Sequence, residues 1–462
     1  MHRPSLSVFS LVMMNIIAVD SLRNLPMGAE YGFSVVFFYL LAGLVFFLPL
    51  ILVIAELATT YPKTGGLYIW IREAFGPRWG LCAIWLQWIY NIVWFPTILI
   101  FLATTFLYLI NPNLINNRPL LLVIILALFW GATAINCLGI RSAAFFSAIG
   151  AIIGTLIPMF LIMGLALYWV YSDQPIQTSL SWQNFWPQGA SLNNISFFLV
   201  ILFGLVGMEA SAAHAGDVKK PHRDFPNALL LSGLIILMTL TCASLAIAIV
   251  VPNSELNIVS GLIAAYQIFF KSYGLGWLTP IIAGLIVLGG LACVSVWILA
   301  PARSLAIASQ DGYLPAYFIK TNRHHIPARV LVLQGGLFSL LSTLLLFFPL
   351  INSSYWLLSA MAAQFALIVY IIMFAAAYVL RKREIHDKNS FKIPGGKFGL
   401  ILSCSVGSLT CLVGIGLGFL PPSDIKIPSL LTYELLIIGG ILILGSIPWC
   451  LKKTGSSSHR NN

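Results

Sequence analysis

The chain has 462 residues, of which 59% are hydrophobic and 8% charged, with a mean hydropathy of +0.94. That balance excludes a soluble globular domain and identifies a polytopic membrane protein, because apolar runs of membrane-spanning length recur along the whole chain. The formal charge of +11 would point to nucleic acid only if the basic residues clustered with interleaved aromatics on a soluble fold, and they do not.

Taken in chain order, the apolar runs predict twelve spans at 6–27, 33–56, 79–109, 119–137, 143–171, 195–215, 226–251, 276–307, 328–349, 355–380, 398–420 and 430–451. Barrel strands would alternate apolar and polar over about 10 residues, and these runs are continuous, so the expected class is all-α integral membrane. Several runs exceed the roughly 20 residues that cross about 30 Å of hydrocarbon, which leaves room for tilt or local breaks. The first run follows His2 and Arg3 but lacks a small-residue cleavage site, and it is expected to be retained as a helix. With the N-terminus inside, the even-numbered loops and both termini, with Arg303 and Arg329 at the adjoining span ends, hold 21 of the 25 Lys and Arg, including "DVKKPHRDFP" and "RKREIHDKNSFKIPGGK". Arg118, Lys271 and Lys426 fall on the other side, and Arg23 lies within a span. This asymmetry predicts cytoplasmic termini. The cysteines, Cys82, Cys137, Cys242, Cys293, Cys404, Cys411 and Cys450, form no CxxC and read as small core hydrophobes.

The first and sixth spans are interrupted. The first carries "AVDSLRNLPMG", with Asp20 and Arg23 close together, and the sixth carries "FGLVGMEASAAHAG". Charges at membrane depth cost several kcal/mol on most scales, so a use is expected for them. Two uses are open: a fixed ion pair that holds the break, or a substrate contact in which Arg23 meets a carboxylate while Asp20 meets an amine or titrates. Five spans separate the two interruptions, and an odd number per repeat inverts the second copy. The expected organisation is therefore a five-plus-five inverted repeat, 1–171 and 195–380, followed by accessory helices over 398–451 and a short disordered tail over 452–462. Broken helices at the midplane expose backbone carbonyls to an ammonium and N–H groups to a carboxylate. A zwitterionic amino acid carries both. For Gly204 and Gly207 alone, close helix packing is the competing reading.

The stretches "AELATTYPKTGGLYIWIREAFGPRWGL", "FGLVGMEASAAHAGDVKKPHRDFPNALLL" and "VSVWILAPARSLAIASQDGYLPAYF", with "FKIPGGK" and "FLPP" after them, resemble the amino acid–polyamine–organocation superfamily. Within it they are similar to the bacterial glutamate/GABA antiporters. The resemblance implies that Phe203 packs over the substrate, that Gly204 and Gly207 expose backbone, and that Trp297 helps close the pathway. It implies a central site lined by Ala18, Asp20, Ser21 and Arg23 from the first span. Glu209 is expected to couple the sixth-span break to gating; His214 either titrates near it or is a hydrogen-bonded structural residue. Glu56 reads as structural.

The implied function is secondary active amino-acid transport by alternating access. Sodium-coupled relatives use a hydroxyl pair in span 8, where this chain offers only Ser295, and some proton-coupled relatives use a span 5 lysine that is missing here. Antiport is therefore favoured, with proton-coupled amino-acid or polyamine symport through Glu209 or Asp20 as the alternative and a non-transporting sensor as a distant one. No GxSxG, HExxH or GxxxxGK[ST] signature occurs, so no enzyme activity, cofactor or metal is expected. The expected partners are an amino-acid substrate and the lipid bilayer, as monomer or homodimer. The resemblance implies the bacterial inner membrane, and the short tail implies no folded plug over the cytoplasmic mouth.

Overall fold

The computed structural model describes residues 7–63, 65–138, 148–189, 195–218, 220–344, 351–383, 390–422, 425, 429–451 and 453. The predicted tail, apart from Lys453, and parts of the predicted fifth and ninth spans lie outside the described residues. Helices account for all the regular elements described: α1 (Val8–Val19), α2 (Leu25–Ala29), α3 (Val35–Ala42), α4 (Leu48–Thr60), α5 (Leu67–Phe75), α6 (Pro77–Ile110), α7 (Arg118–Cys137), α8 (Ile157–Tyr171), α9 (Trp182–Phe185), α10 (Phe197–Gly204), α11 (Pro221–Val250), α12 (Gly261–Ser272), α13 (Thr279–Ala308), α14 (Ala328–Leu344), α15 (Ile351–Lys382), α16 (Gly396–Leu417) and α17 (Leu430–Cys450), with 3₁₀ and π segments between them. Among the described residues ten helical stretches are long and apolar enough to cross a membrane. The shorter apolar helices Phe197–Ala212 and Ala328–Leu344 stand where the sixth and ninth spans are predicted.

The centre is built on α6, a 34-residue helix buried along most of its length, against which α13 and α15 pack. Pro96 lies inside this helix, and membrane helices tolerate such a proline where neighbouring groups or a local adjustment satisfy the carbonyl it frees. Small residues set the closest approach: a Cβ on Gly154 would meet Gly289 backbone at 2.2 Å, which locks the π segment Gly150–Leu156 against α13. α11 packs along α1, α4 and α8, and α16 covers α15 and α4. α17 lies against α6 and α15 with most of its surface open.

The basic loops gather on one face. Arg72 on α5 pairs with Asp311 at 3.2 Å, and Tyr68 donates to the same carboxylate. Burial, reinforced by Asp311, holds the Tyr68 phenol well above its ordinary value. Arg383 donates to the carbonyls of Glu73 and Ala74, and Arg78 to that of Trp449. Glu56 at the end of α4 takes Arg381 of α15 and the Ile393 N–H at 2.9 Å. That arrangement is a brace tying α4 to α15 and to the loop before α16, in line with the structural reading of Glu56.

Candidate functional site

The chain leaves helical geometry at Asp20. Its N–H makes the last helical bond of α1, to Ile16 O at 2.8 Å, its ψ is 74°, and Ser21 is extended at φ −94°, ψ 117°. A 3₁₀ turn over Leu22–Asn24 leads into α2, where Pro26 sits in the first turn and so sacrifices no helical bond. The second interruption follows α10: Leu205 ends the helix, and Gly207 takes φ +125° before the 3₁₀ helix Met208–Asp217. Only glycine reaches that region without strain.

The two interruptions touch. A Cβ on Gly207 would lie 2.8 Å from Trp297 Cζ2, 3.2 Å from Val19 Cγ2 and 3.3 Å from the Ala18 carbonyl oxygen. Trp297, on α13, donates its indole N–H to that same Ala18 oxygen at 2.9 Å. One carbonyl at the broken end of α1 is thus held by a side chain from a third helix. Gly204 faces Asn24, whose Nδ2 would be 2.9 Å from an added Cβ. Phe203 meets Tyr90 edge-on, with centroids 6.4 Å apart, and Tyr90 meets Trp297 at 6.2 Å. Ala18, Phe203, Gly204, Gly207 and Trp297 therefore converge, while Ser21 stands partly buried at the joint itself.

Asp20 and Arg23 are both buried, at 2% and 1% exposure, and they diverge. Asp20 accepts from Thr239 of α11 at 2.9 Å. Arg23 turns the other way and donates through Nη1 to Thr97 of α6 and Ser359 of α15, each at 3.1 Å. Its guanidinium also lies 5.8 Å from the Phe203 ring centroid and 5.6 Å from that of Tyr355. Among the described residues neither charge enters an ion pair, so the reading of a fixed Asp20–Arg23 strut is corrected. The extended joint at Ser21 rotates the two positions apart, which a continuous helix would have kept on one face.

Glu209 sits in a network that the sequence does not announce. Gln87 donates to its Oε1 at 2.9 Å and Tyr370 to its Oε2 at 2.6 Å, and the Tyr370 oxygen also accepts the Gly207 N–H at 2.9 Å. Glu209 thereby fixes the tyrosine that holds the strained glycine. His214 falls in the same 3₁₀ helix, and its side chain lies outside the described residues. Ser295 accepts from Asn136 at 2.8 Å, which places it in a helix-packing contact with α7. Among the described residues no three His, Cys, Asp or Glu side chains gather as metal ligands.

The family described as amino acid permease matches this chain over residues 6–443. An uncharacterized transporter of Legionella pneumophila is 50% identical over 449 residues, covering 97% of this chain and 96% of the relative. A glutamate/gamma-aminobutyrate antiporter of Lactococcus lactis is 28% identical over 454 residues, covering 97% of this chain and 90% of that one. A probable agmatine/putrescine antiporter of the same species is 25% identical over 393 residues, covering 84% and 82%.

Proposed function

The chain belongs to the amino acid permease family, within the amino acid–polyamine–organocation superfamily, and we propose that it is an amino-acid antiporter of the glutamate/GABA-exchanger type working by alternating access. The observation that carries this reading is the contact between the two helix interruptions, where Trp297 holds the Ala18 carbonyl and Gly207 lies against both. A carrier needs a place where a small ligand engages backbone from two separately moving segments, and this junction supplies one. The carbonyl end of α1 suits an α-ammonium, and Phe203, Tyr90 and Trp297 enclose it.

On this reading the chain is organised as two inverted halves, 1–171 and 195–380, with accessory helices over 398–451, making twelve spans. The interrupted first and sixth spans face each other across the site. Residues Ala18, Ser21, Phe203, Gly204 and Gly207 line it, and Trp297, with Glu209 behind Gly207, governs its closure. The gathering of basic loops on one face supports cytoplasmic termini in a bacterial inner membrane. Substrate exchange needs no lysine or hydroxyl pair for a coupling ion, which favours antiport over symport.

Counterflow in liposomes tests the proposal. Vesicles holding the purified protein are loaded with one unlabelled amino acid at a time, and uptake of labelled glutamate, GABA, arginine and leucine is followed. Uptake that requires an internal amino acid is expected. Uptake driven only by a proton gradient would replace antiport with symport, and binding without flux would replace transport with sensing.

A further inference from the structure

We propose that Arg23 is a subsite for the side-chain carboxylate of the substrate, so that this carrier prefers amino acids that bear that carboxylate to their amides and to amines that lack it. The inference rests on the carrier reading above. It excludes the agmatine and putrescine that one relative's name gives.

Arg23 is 1% exposed, yet every polar partner it has is a neutral hydroxyl. Its Nε is buried without a partner, and so is the Tyr355 hydroxyl beneath its guanidinium. The other arginines that brace the fold have acceptors suited to a cation: Arg381 has Glu56, Arg72 has Asp311, and Arg383 and Arg78 have backbone carbonyls. The carboxylates of the two interruptions take other partners: Asp20 accepts from Thr239 through one oxygen, its other being unpartnered, and both oxygens of Glu209 are occupied by Gln87 and Tyr370.

An arginine presents a planar fork that matches a carboxylate bidentately, and here the Nε and the hydroxyl of Tyr355, whose ring lies near the guanidinium, are buried donors without a partner. Phe203 joins this fork to the junction of the broken helices: its ring lies 5.8 Å from the guanidinium and 6.4 Å from Tyr90, which in turn meets Trp297. A buried cation without a counter-charge is unfavourable, and a substrate side-chain carboxylate supplies that charge on binding. An amide of the same length leaves Arg23 unpaired, which is the condition under which a polar site rejects an isostere strongly, whereas GABA keeps the side-chain carboxylate of glutamate and still pairs it.

The test uses the full chain in liposomes, with glutamate, aspartate, glutamine, asparagine and GABA offered in turn on both sides. Glutamate and aspartate are expected to exceed their amides by about tenfold or more in counterflow competition, with GABA, which keeps the side-chain carboxylate, falling with the acids. Arg23→Gln should abolish the preference and move glutamine at least as well as glutamate, whereas Arg23→Lys should keep its sign. Should Arg23→Gln fail to fold, Tyr355→Phe is expected to reduce the acid-to-amide ratio while flux persists. Equal handling of acids and amides by the unaltered protein, or acid preference surviving in Arg23→Gln, overturns the inference and leaves the carrier reading intact. Absence of flux with every compound overturns the carrier reading and this inference together.

Discussion

Gly207→Ala is the substitution whose effect follows most directly from the geometry of the junction. The backbone there sits at φ +125°, and holding a residue with a side chain in so sparsely populated a region costs about 1–3 kcal/mol. The new methyl would also stand 2.8 Å from Trp297 Cζ2 and 3.2 Å from Val19 Cγ2, and overpacking of that kind typically adds about 1–3 kcal/mol. Neither obstacle is a mobile chain end, because Trp297 is fixed by its bond to Ala18 and Val19 closes α1. The expected total is about 2–6 kcal/mol against this arrangement of the interrupted helices, enough to repopulate the conformational equilibrium by more than tenfold. Counterflow in liposomes should fall by a similar factor while far-ultraviolet dichroism keeps its helical signature. Trp297→Ala in the same chain removes the Trp297 part of the steric share and leaves the Val19 contact and the torsional cost, so the double variant should be less perturbed than the sum of the singles. Wild-type flux in Gly207→Ala, or strict additivity with Trp297→Ala, would refute the reasoning.

Tyr370→Phe should lower thermal stability and slow flux, because it orphans both the Gly207 N–H and one Glu209 oxygen; the expected cost is about 2–4 kcal/mol, read from fluorescence-monitored unfolding in detergent. Asp20→Asn and Arg23→Gln should combine additively to within about 0.5 kcal/mol in the same assay, since the two side chains share no partner, and a large coupling energy would restore the ion-pair strut. Glu56→Ala leaves Arg381 without its carboxylate and the Ile393 N–H without its acceptor, and should destabilise by about 3 kcal/mol; Glu56→Ala with Arg381→Met should recover part of that loss, and an unchanged melting temperature in Glu56→Ala would refute the brace.

Hydropathy located the helices because burial in lipid demands continuous apolar runs whatever the tertiary arrangement. The residue pattern also located the interruptions, since Asp20 and Gly207 sit where the backbone departs from a regular helix. What the residues around 18–24 do was beyond reach. Asp20 and Arg23 are close in sequence, but the extended geometry of Ser21 sends one to Thr239 and the other to Thr97 and Ser359, partners supplied by helices far along the chain. Gln87 and Tyr370 were missed for the same reason. Neither belongs to a motif near Glu209, and a glutamine or tyrosine on an apolar helix reads as packing until the helix that faces it is known. A buried Glu209 did signal that polar partners must exist, because a carboxylate at that depth without hydrogen bonds is prohibitively costly.

The wiring of the two interruptions gives them different mechanical roles. At its carbonyl end the first is held by one side-chain bond, Trp297 to the Ala18 carbonyl, and on the proposed reading a substrate ammonium at that carbonyl would compete with or complement the indole. The second is held by a relay, in which the Gly207 N–H meets Tyr370, Tyr370 meets Glu209, and Glu209 meets Gln87 of α6. A relay anchored on the central helix resists displacement more than a lone hydrogen bond does, because its members must part together. On the proposed carrier reading the Ala18 carbonyl is the point that a ligand would disturb, and Trp297 would pass that disturbance to α13. Gly207 lies against both Trp297 and Val19, so movement of either is felt at the second interruption without any further linkage. That asymmetry explains why the charged residue of the second interruption is fully engaged with protein partners while Arg23, beside the first, is not.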